Sequence, residues 1–260
     1  AHRHALFADD ASLHQPVHRA GHLVVVEASG VPHSRVGHAA VLAGVVRQPV
    51  DERVLWRLDA DQPLRPEVLV LCRSQPSWEH VVEQAGWPSA DDPDDPQVMC
   101  RSYDPLLERL TTGERYVFRL TANPVMSTKR ADRLTADQVS RLGASGDGRS
   151  ARVAHRTMEH QLRWLLERQE RLGFSIPLAR SAETMQSEIP DVQIIGRSRL
   201  GFSKRGSSGR ITIQTATYQG RLVVADTDRL RTALIDGVGR AKAYGCGLLT
   251  LARDDGPDPE

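Results

Sequence analysis

From residue 22 onward, short apolar runs alternate with segments whose apolar residues recur at helical spacing. His22-Leu23-Val24-Val25-Val26 predicts a strand, and His38-Ala39-Ala40-Val41-Leu42-Ala43-Gly44 predicts a short helix. Arg53-Val54-Leu55-Trp56-Arg57-Leu58 alternates polar and apolar, and Val68-Leu69-Val70-Leu71-Cys72 follows a proline-containing turn, which predicts a hairpin. Residues 78–86 read as a helix with Val81, Val82 and Ala85 on one face and Gly86 as its stop. The acidic, proline-broken stretch over residues 90–96 is a loop, and Val98-Met99-Cys100 is a short strand. The order is βαββαβ.

A second cycle starts at Tyr116-Val117-Phe118-Arg119-Leu120, a strand that Asn123-Pro124 should end. Residues 131–150, rich in Asp, Ser, Gly and Arg, predict a mobile loop. The strongest helix runs over residues 155–172, with Met158, Leu162, Leu165, Leu166 and Leu172 as its apolar stripe and Gly173 at its end. Strands follow at Val192-Gln193-Ile194-Ile195 and over residues 210–215, and Tyr218-Gln219-Gly220 predicts a turn into Leu222-Val223-Val224. Asp226 or Thr227 caps a helix through Leu230, Ala233 and Leu234, and Leu248-Leu249-Thr250-Leu251 closes the cycle. The expected class is α+β, with tandem ferredoxin-like (RRM-like) βαββαβ domains over residues 1–112, of which 1–36 are atypical, and 113–260.

Composition adds one asymmetry. The 260 residues carry a net charge of only +1, yet residues 1–115 hold 11 Lys/Arg against 17 Asp/Glu and residues 116–260 hold 23 against 16. Such a split is expected when the second half meets a polyanion. No apolar run approaches the roughly 20 residues that span a bilayer, and the opening Ala1-His2-Arg3-His4 has no secretion-signal core, so a cytoplasmic protein is expected. Cys72, Cys100 and Cys246 are far apart with no CxxC spacing, which predicts reduced structural thiols and neither a zinc site nor a disulfide framework; no metal and no cofactor are expected.

The candidate chemistry gathers at Gly237-Val238-Gly239-Arg240-Ala241-Lys242-Ala243-Tyr244-Gly245-Cys246-Gly247. Glycines beside two cations can cradle a phosphate, because backbone N–H groups come close to the anion while Arg240 and Lys242 neutralise it. A plain glycine-rich connection with a helix stop at Gly237 explains the segment equally well. Dinucleotide folds need the glycines after a strand and before a helix, the reverse of the order here, and no GxxxxGK[ST] is present.

This segment, with Leu248-Leu249, resembles the C-terminal signature of the CasE family, the CRISPR RNA-processing endoribonucleases of type I-E systems. His38-Ala39-Ala40-Val41-Leu42, Val54-Leu55-Trp56-Arg57, Phe118-Arg119-Leu120-Thr121-Ala122-Asn123-Pro124 and residues 218–226 match in the same order. The resemblance implies tandem ferredoxin-like domains and metal-independent cleavage of CRISPR repeat RNA at the base of its hairpin. It also implies retention in the Cascade surveillance complex, with that RNA and the other Cascade subunits as partners. The histidine at the position of His38 is the catalytic one in the family, and at a helix start the imidazole is favoured in the neutral, proton-accepting form. Arg35 stands where well-studied members carry a tyrosine. A guanidinium cannot move a proton as a phenol does, but it can stabilise a pentacovalent phosphate, and His33 is a further helper.

For binding, residues 197–210 hold five cations, Arg197, Arg199, Lys204, Arg205 and Arg210, and no acid in a predicted hairpin. The resemblance implies that this hairpin grips the repeat stem, since duplex RNA offers phosphates and shape rather than a readable major groove. Lys129, Arg130, Gly237, Gly239, Arg240 and Lys242 complete the candidate RNA contacts. The aromatic signature of single-strand RRM readers is missing, which favours a hairpin substrate. Two other readings stand beside the nuclease: a non-catalytic scaffold subunit that holds the RNA hairpin, and an enzyme of a phosphate ligand that uses the glycine loop.

Overall fold

The computed structural model describes residues 21–27, 52–61, 66–74, 98–128, 151–180, 188–203 and 210–254. Strands β1 (His22–Glu27), β2 (Leu55–Asp59), β3 (Glu67–Cys72) and β4 (Val98–Ser102) form an antiparallel sheet in the order β2-β3-β1-β4. That order is what a ferredoxin-like βαββαβ unit generates, with its first and third strands central. Period-two alternation gives the sheet two apolar faces. Leu23, Val25, Leu55, Leu69 and Leu71 join the main core, while Val24, Val26, Val54, Trp56, Val68, Val70 and Cys72 form a second cluster. The helices expected over residues 38–44 and 78–86 and the loops expected over 90–96 and 131–150 lie outside the described residues.

Helix α1 (Asp104–Arg109) follows, with Pro105 in its first turn where a missing N–H costs nothing. Its six residues are too few for a periodic signal, so the sequence pattern does not announce it. The chain continues through β5 (Arg115–Ala122), β6 (Val125–Thr128), β7 (Ala151–Ala154), α2 (Met158–Leu166) and a 3-10 turn at Glu170–Leu172. Then come β8 (Phe174–Ser175), β9 (Leu178–Arg180), β10 (Glu188–Pro190), β11 (Val192–Ser203), β12 (Arg210–Val224), α3 (Thr227–Asp236), a 3-10 turn at Lys242–Tyr244 and β13 (Leu249–Arg253). The second sheet runs β11-β12-β5-β13, with β8 against β12, so the ferredoxin-like order recurs. Ribbons β6-β7 and β9-β10 stand outside both sheets.

Two expectations are corrected and one holds. Tyr218-Gln219-Gly220 is not a turn: β12 is continuous, with Tyr218 paired to Leu120 and to Ile194. Gly220 serves close approach instead, since a Cβ there would lie 2.2 Å from the carbonyl oxygen of Asp191. The helix expected over 155–172 is α-helical only from Met158 to Leu166, and Met158 is exposed while Trp164 and Gln161 are buried. Asn123-Pro124 ends β5 as expected; Asn123 then bridges Arg240, and the chain re-enters a strand at Val125.

The two sheets are tied by a charged network. Arg57, 1% exposed, donates from Nη1 to the carbonyls of Arg119 (2.9 Å) and Leu248 (3.1 Å), and from Nε and Nη2 to the Asp59 carboxylate (2.7 and 2.8 Å). Arg119 Nη1 meets Asp61 at 2.6 Å and Asp59 at 3.4 Å, and its Nε bonds Gln219 Oε1 at 3.0 Å. A buried guanidinium is tolerable only when its donors are met, and here the first sheet supplies the guanidinium of Arg57 and the second supplies backbone acceptors.

Candidate functional site

The glycine-rich segment occupies the seam between the sheets. Gly237, Gly239, Gly245 and Gly247 all have positive φ, as does Ala241 at 62°. Their conformations serve packing: a Cβ on Gly237 would come within 2.7 Å of Leu55, and one on Gly245 within 3.1 Å of the Trp56 ring. Backbone N–H groups are used internally, Val238 donating to Gly247 O (2.8 Å), Gly247 to Thr121 O (2.7 Å) and Tyr244 to Ala241 O (2.9 Å). The segment is thus a connection that lets helix α3 return to β13 beneath the first sheet.

Its cations face a charge from the first half of the chain. Arg240 is exposed. Burial, with the nearby Arg53 guanidinium second, pulls the Lys242 amine below the ordinary lysine range, while Asp236 pulls it back up. Arg53 lies just before β2, so the seam gathers Arg53 and Lys242 from sequence-distant segments. An anion brought there relieves their repulsion.

The basic hairpin is formed by β11 and β12. After a register shift between Ile194 and Gly196, pairing runs without interruption from Gly196↔Thr217 to Ser203↔Arg210. Arg197 pairs with Ala216 and Arg199 with Gln214, so both cations lie on one side of the ribbon, the side of Tyr218. Tyr218 there donates to Gln161 O at 2.8 Å and stacks on Trp164 at 6.3 Å, which places α2 on the same side. Arg197 donates to the carbonyl of Arg156, and Arg197 and Arg199 are exposed. Lys204 and Arg205, together with Lys129, Arg130, His33, Arg35 and His38, lie outside the described residues.

Three sets of residues escape sequence reasoning. Arg57 and Arg119 carry a signal, a charge at an inward position of an apolar strand, but their partners are 62 and 191 residues away for Arg57 and 100 for Arg119. Arg53 beside Lys242 carries none. Nor does the corner after β7, where the rings of His155 and His160 stack at 5.8 Å. Among the described residues no group of three or more His, Cys, Asp or Glu could hold a metal ion, and no helix is long and apolar enough to cross a membrane.

Known proteins share this architecture. A family model described as CRISPR associated protein matches residues 27–253. The chain is 31% identical over 207 residues to CRISPR-associated endoribonuclease Cse3 of Thermus thermophilus, covering 77% of this chain and 80% of that protein. It is 32% identical over 144 residues to the CRISPR system Cascade subunit CasE of Escherichia coli K12, covering 55% of this chain and 61% of that one. The solved structure of Thermus thermophilus Cse3 bound to an RNA representing a pre-cleavage complex superposes with a TM-score of 0.59 at 28% identity, over 89% of this chain and 99% of the other.

Proposed function

The chain belongs to the CRISPR associated protein family, and on that premise we propose that it is an endoribonuclease that binds the CRISPR repeat hairpin, cleaves precursor CRISPR RNA and stays bound as a subunit of Cascade. The observation that carries this reading is the long β11-β12 ribbon, cationic on one side, at the edge of a doubled ferredoxin-like framework. Arg197 and Arg199, with Lys204 and Arg205, contact stem phosphates. Lys129 and Arg130 add to the grip, and Arg240 and Lys242 meet phosphate at the seam beside Gly237 and Gly239.

Cleavage uses the RNA's own 2′-hydroxyl as nucleophile on the adjacent phosphate, so the protein has to move protons and stabilise charge rather than activate water. His38 accepts or returns the proton. Arg35, standing in place of the family tyrosine, stabilises the pentacovalent phosphate. The folding units divide after Thr112, ahead of the turn at Gly113 that leads into β5. Work on newly made transcripts puts the protein in the cytoplasm.

The test is incubation of the full chain with labelled repeat RNA in EDTA. A single cut is expected, with the rate lowered roughly 10²–10⁴-fold in His38→Ala while RNA binding persists. Cleavage that His38→Ala leaves unchanged removes His38 from the mechanism. Arg35 at the tyrosine position favours one second reading, a non-catalytic scaffold that holds the hairpin, and tight binding by the unaltered chain without any cut is its signature.

A further inference from the structure

The ribbon's cationic side does not end at the hairpin. Where it meets helix α2, the chain leaving β7 turns through His155, Arg156 and Thr157, and His155 N–H donates to Pro124 O at 2.9 Å. Arg156 and His160 are exposed. Arg197 donates to the Arg156 carbonyl, which pins this corner to β11 and brings the exposed Arg156 next to Arg197. Thr157 Oγ1 accepts the His160 backbone N–H at 3.3 Å and lies 2.6 Å from His160 Nδ1. The Thr157 hydroxyl thus ties both the backbone and the ring of His160 to the start of α2 and fixes the orientation of the exposed imidazole. The carboxylate of this turn, Glu159, is held by Arg163 at 2.6 Å.

We propose that His155, Arg156 and His160 form a second phosphate-binding surface for the RNA, continuous with the Arg197 and Arg199 side of β11. The inference rests on the hairpin-gripping function above and extends it from the ribbon onto the corner between β7 and α2. Residues two apart on a strand repeat at about 6.8 Å, so Arg197 and Arg199 make a short row of cations. Arg156 and His160, both exposed, lengthen that row across the element boundary. The imidazole of His155, stacked on His160, holds the second ring in place. The ligand class is a duplex RNA backbone, recognised by charge and shape without base reading.

The test uses a repeat-hairpin RNA carrying 2′-O-methyl groups throughout, which removes every nucleophile, and follows binding by fluorescence anisotropy between about 50 and 200 mM salt. Arg156→Ala/His160→Ala should weaken binding roughly tenfold and flatten the plot of log affinity against log salt by about 0.7–0.9 for each phosphate left without its cation. Arg156→Lys should restore most of the slope. Arg156 is exposed and its carbonyl survives substitution, so the hold of Arg197 remains. Arg156→Gln serves as a second variant, and circular dichroism checks folding. If Lys204→Ala/Arg205→Ala weakens binding while the corner variants keep wild-type affinity and slope, the second surface is wrong and the hairpin reading stands. If the unaltered chain does not bind this RNA, both fall together.

Discussion

Cys72 and Cys246 are buried thiols, free of disulfides, and burial pushes each from an ordinary value of 9.0 up to about 12, with the Glu52 carboxylate adding to the effect at Cys72. Above pH 9 the unfolded chain sheds these protons while the folded chain keeps them, so the folded state binds more protons. Stability is therefore fully present below the unfolded value and is lost as pH rises towards the folded one. The unfolding free energy from urea denaturation should fall between about pH 8 and pH 10.5, by on the order of 2 kcal/mol for each thiol, and the midpoint with it. Cys246→Ala should shrink that fall, and a midpoint flat over the range would show that the thiols ionise freely in the folded chain. Lys242 is the converse case: a cation made less comfortable by burial and by Arg53, which an arriving phosphate would settle.

The β11-β12 ribbon shows what an element demands of its residues. Apolar alternation over residues 192–195 and 210–215 makes both strands legible, yet Gly220 beside Tyr218 reads locally as a turn when the strand in fact continues. The distinction lies in a neighbour, because Asp191 O crosses Gly220 where a side chain would stand. Gly220→Ala should lower stability by about 1–3 kcal/mol, since backbone must shift. Gly196→Ala meets nothing nearer than Thr217 Oγ1 at 3.5 Å and should be neutral or gain up to about 0.5–1 kcal/mol. Urea denaturation of the two variants separates these outcomes, and equal losses would refute the close-approach account. Helix α2 makes the same point: hydropathy points Met158 inward, and Trp164 is buried in its place because Tyr218 and Gly239 stand beside Trp164.

Across the molecule, Arg57 joins the first sheet to the second, and its removal leaves Asp59 the longer Arg119 contact and takes a charged donor from two buried carbonyls. Arg57→Ala should cost about 3–5 kcal/mol. Arg57→Ala with Arg119→Ala should cost more than the two losses added, because each single variant leaves Asp59 one arginine and the double variant removes both. Additive losses in chemical denaturation would mean that the two act separately. The α+β class, most strands, the basic hairpin and the glycine-rich signature are all written in the linear chain, since each depends on period, turn chemistry or charge within about twenty residues. Folding alone brings the loop's glycines against Leu55 and Trp56, Arg53 near Lys242, and His155, Arg156 and His160 to the border of the hairpin. Those relations join residues far apart in the chain, and a local pattern of hydropathy carries no record of which distant side chain will close the gap.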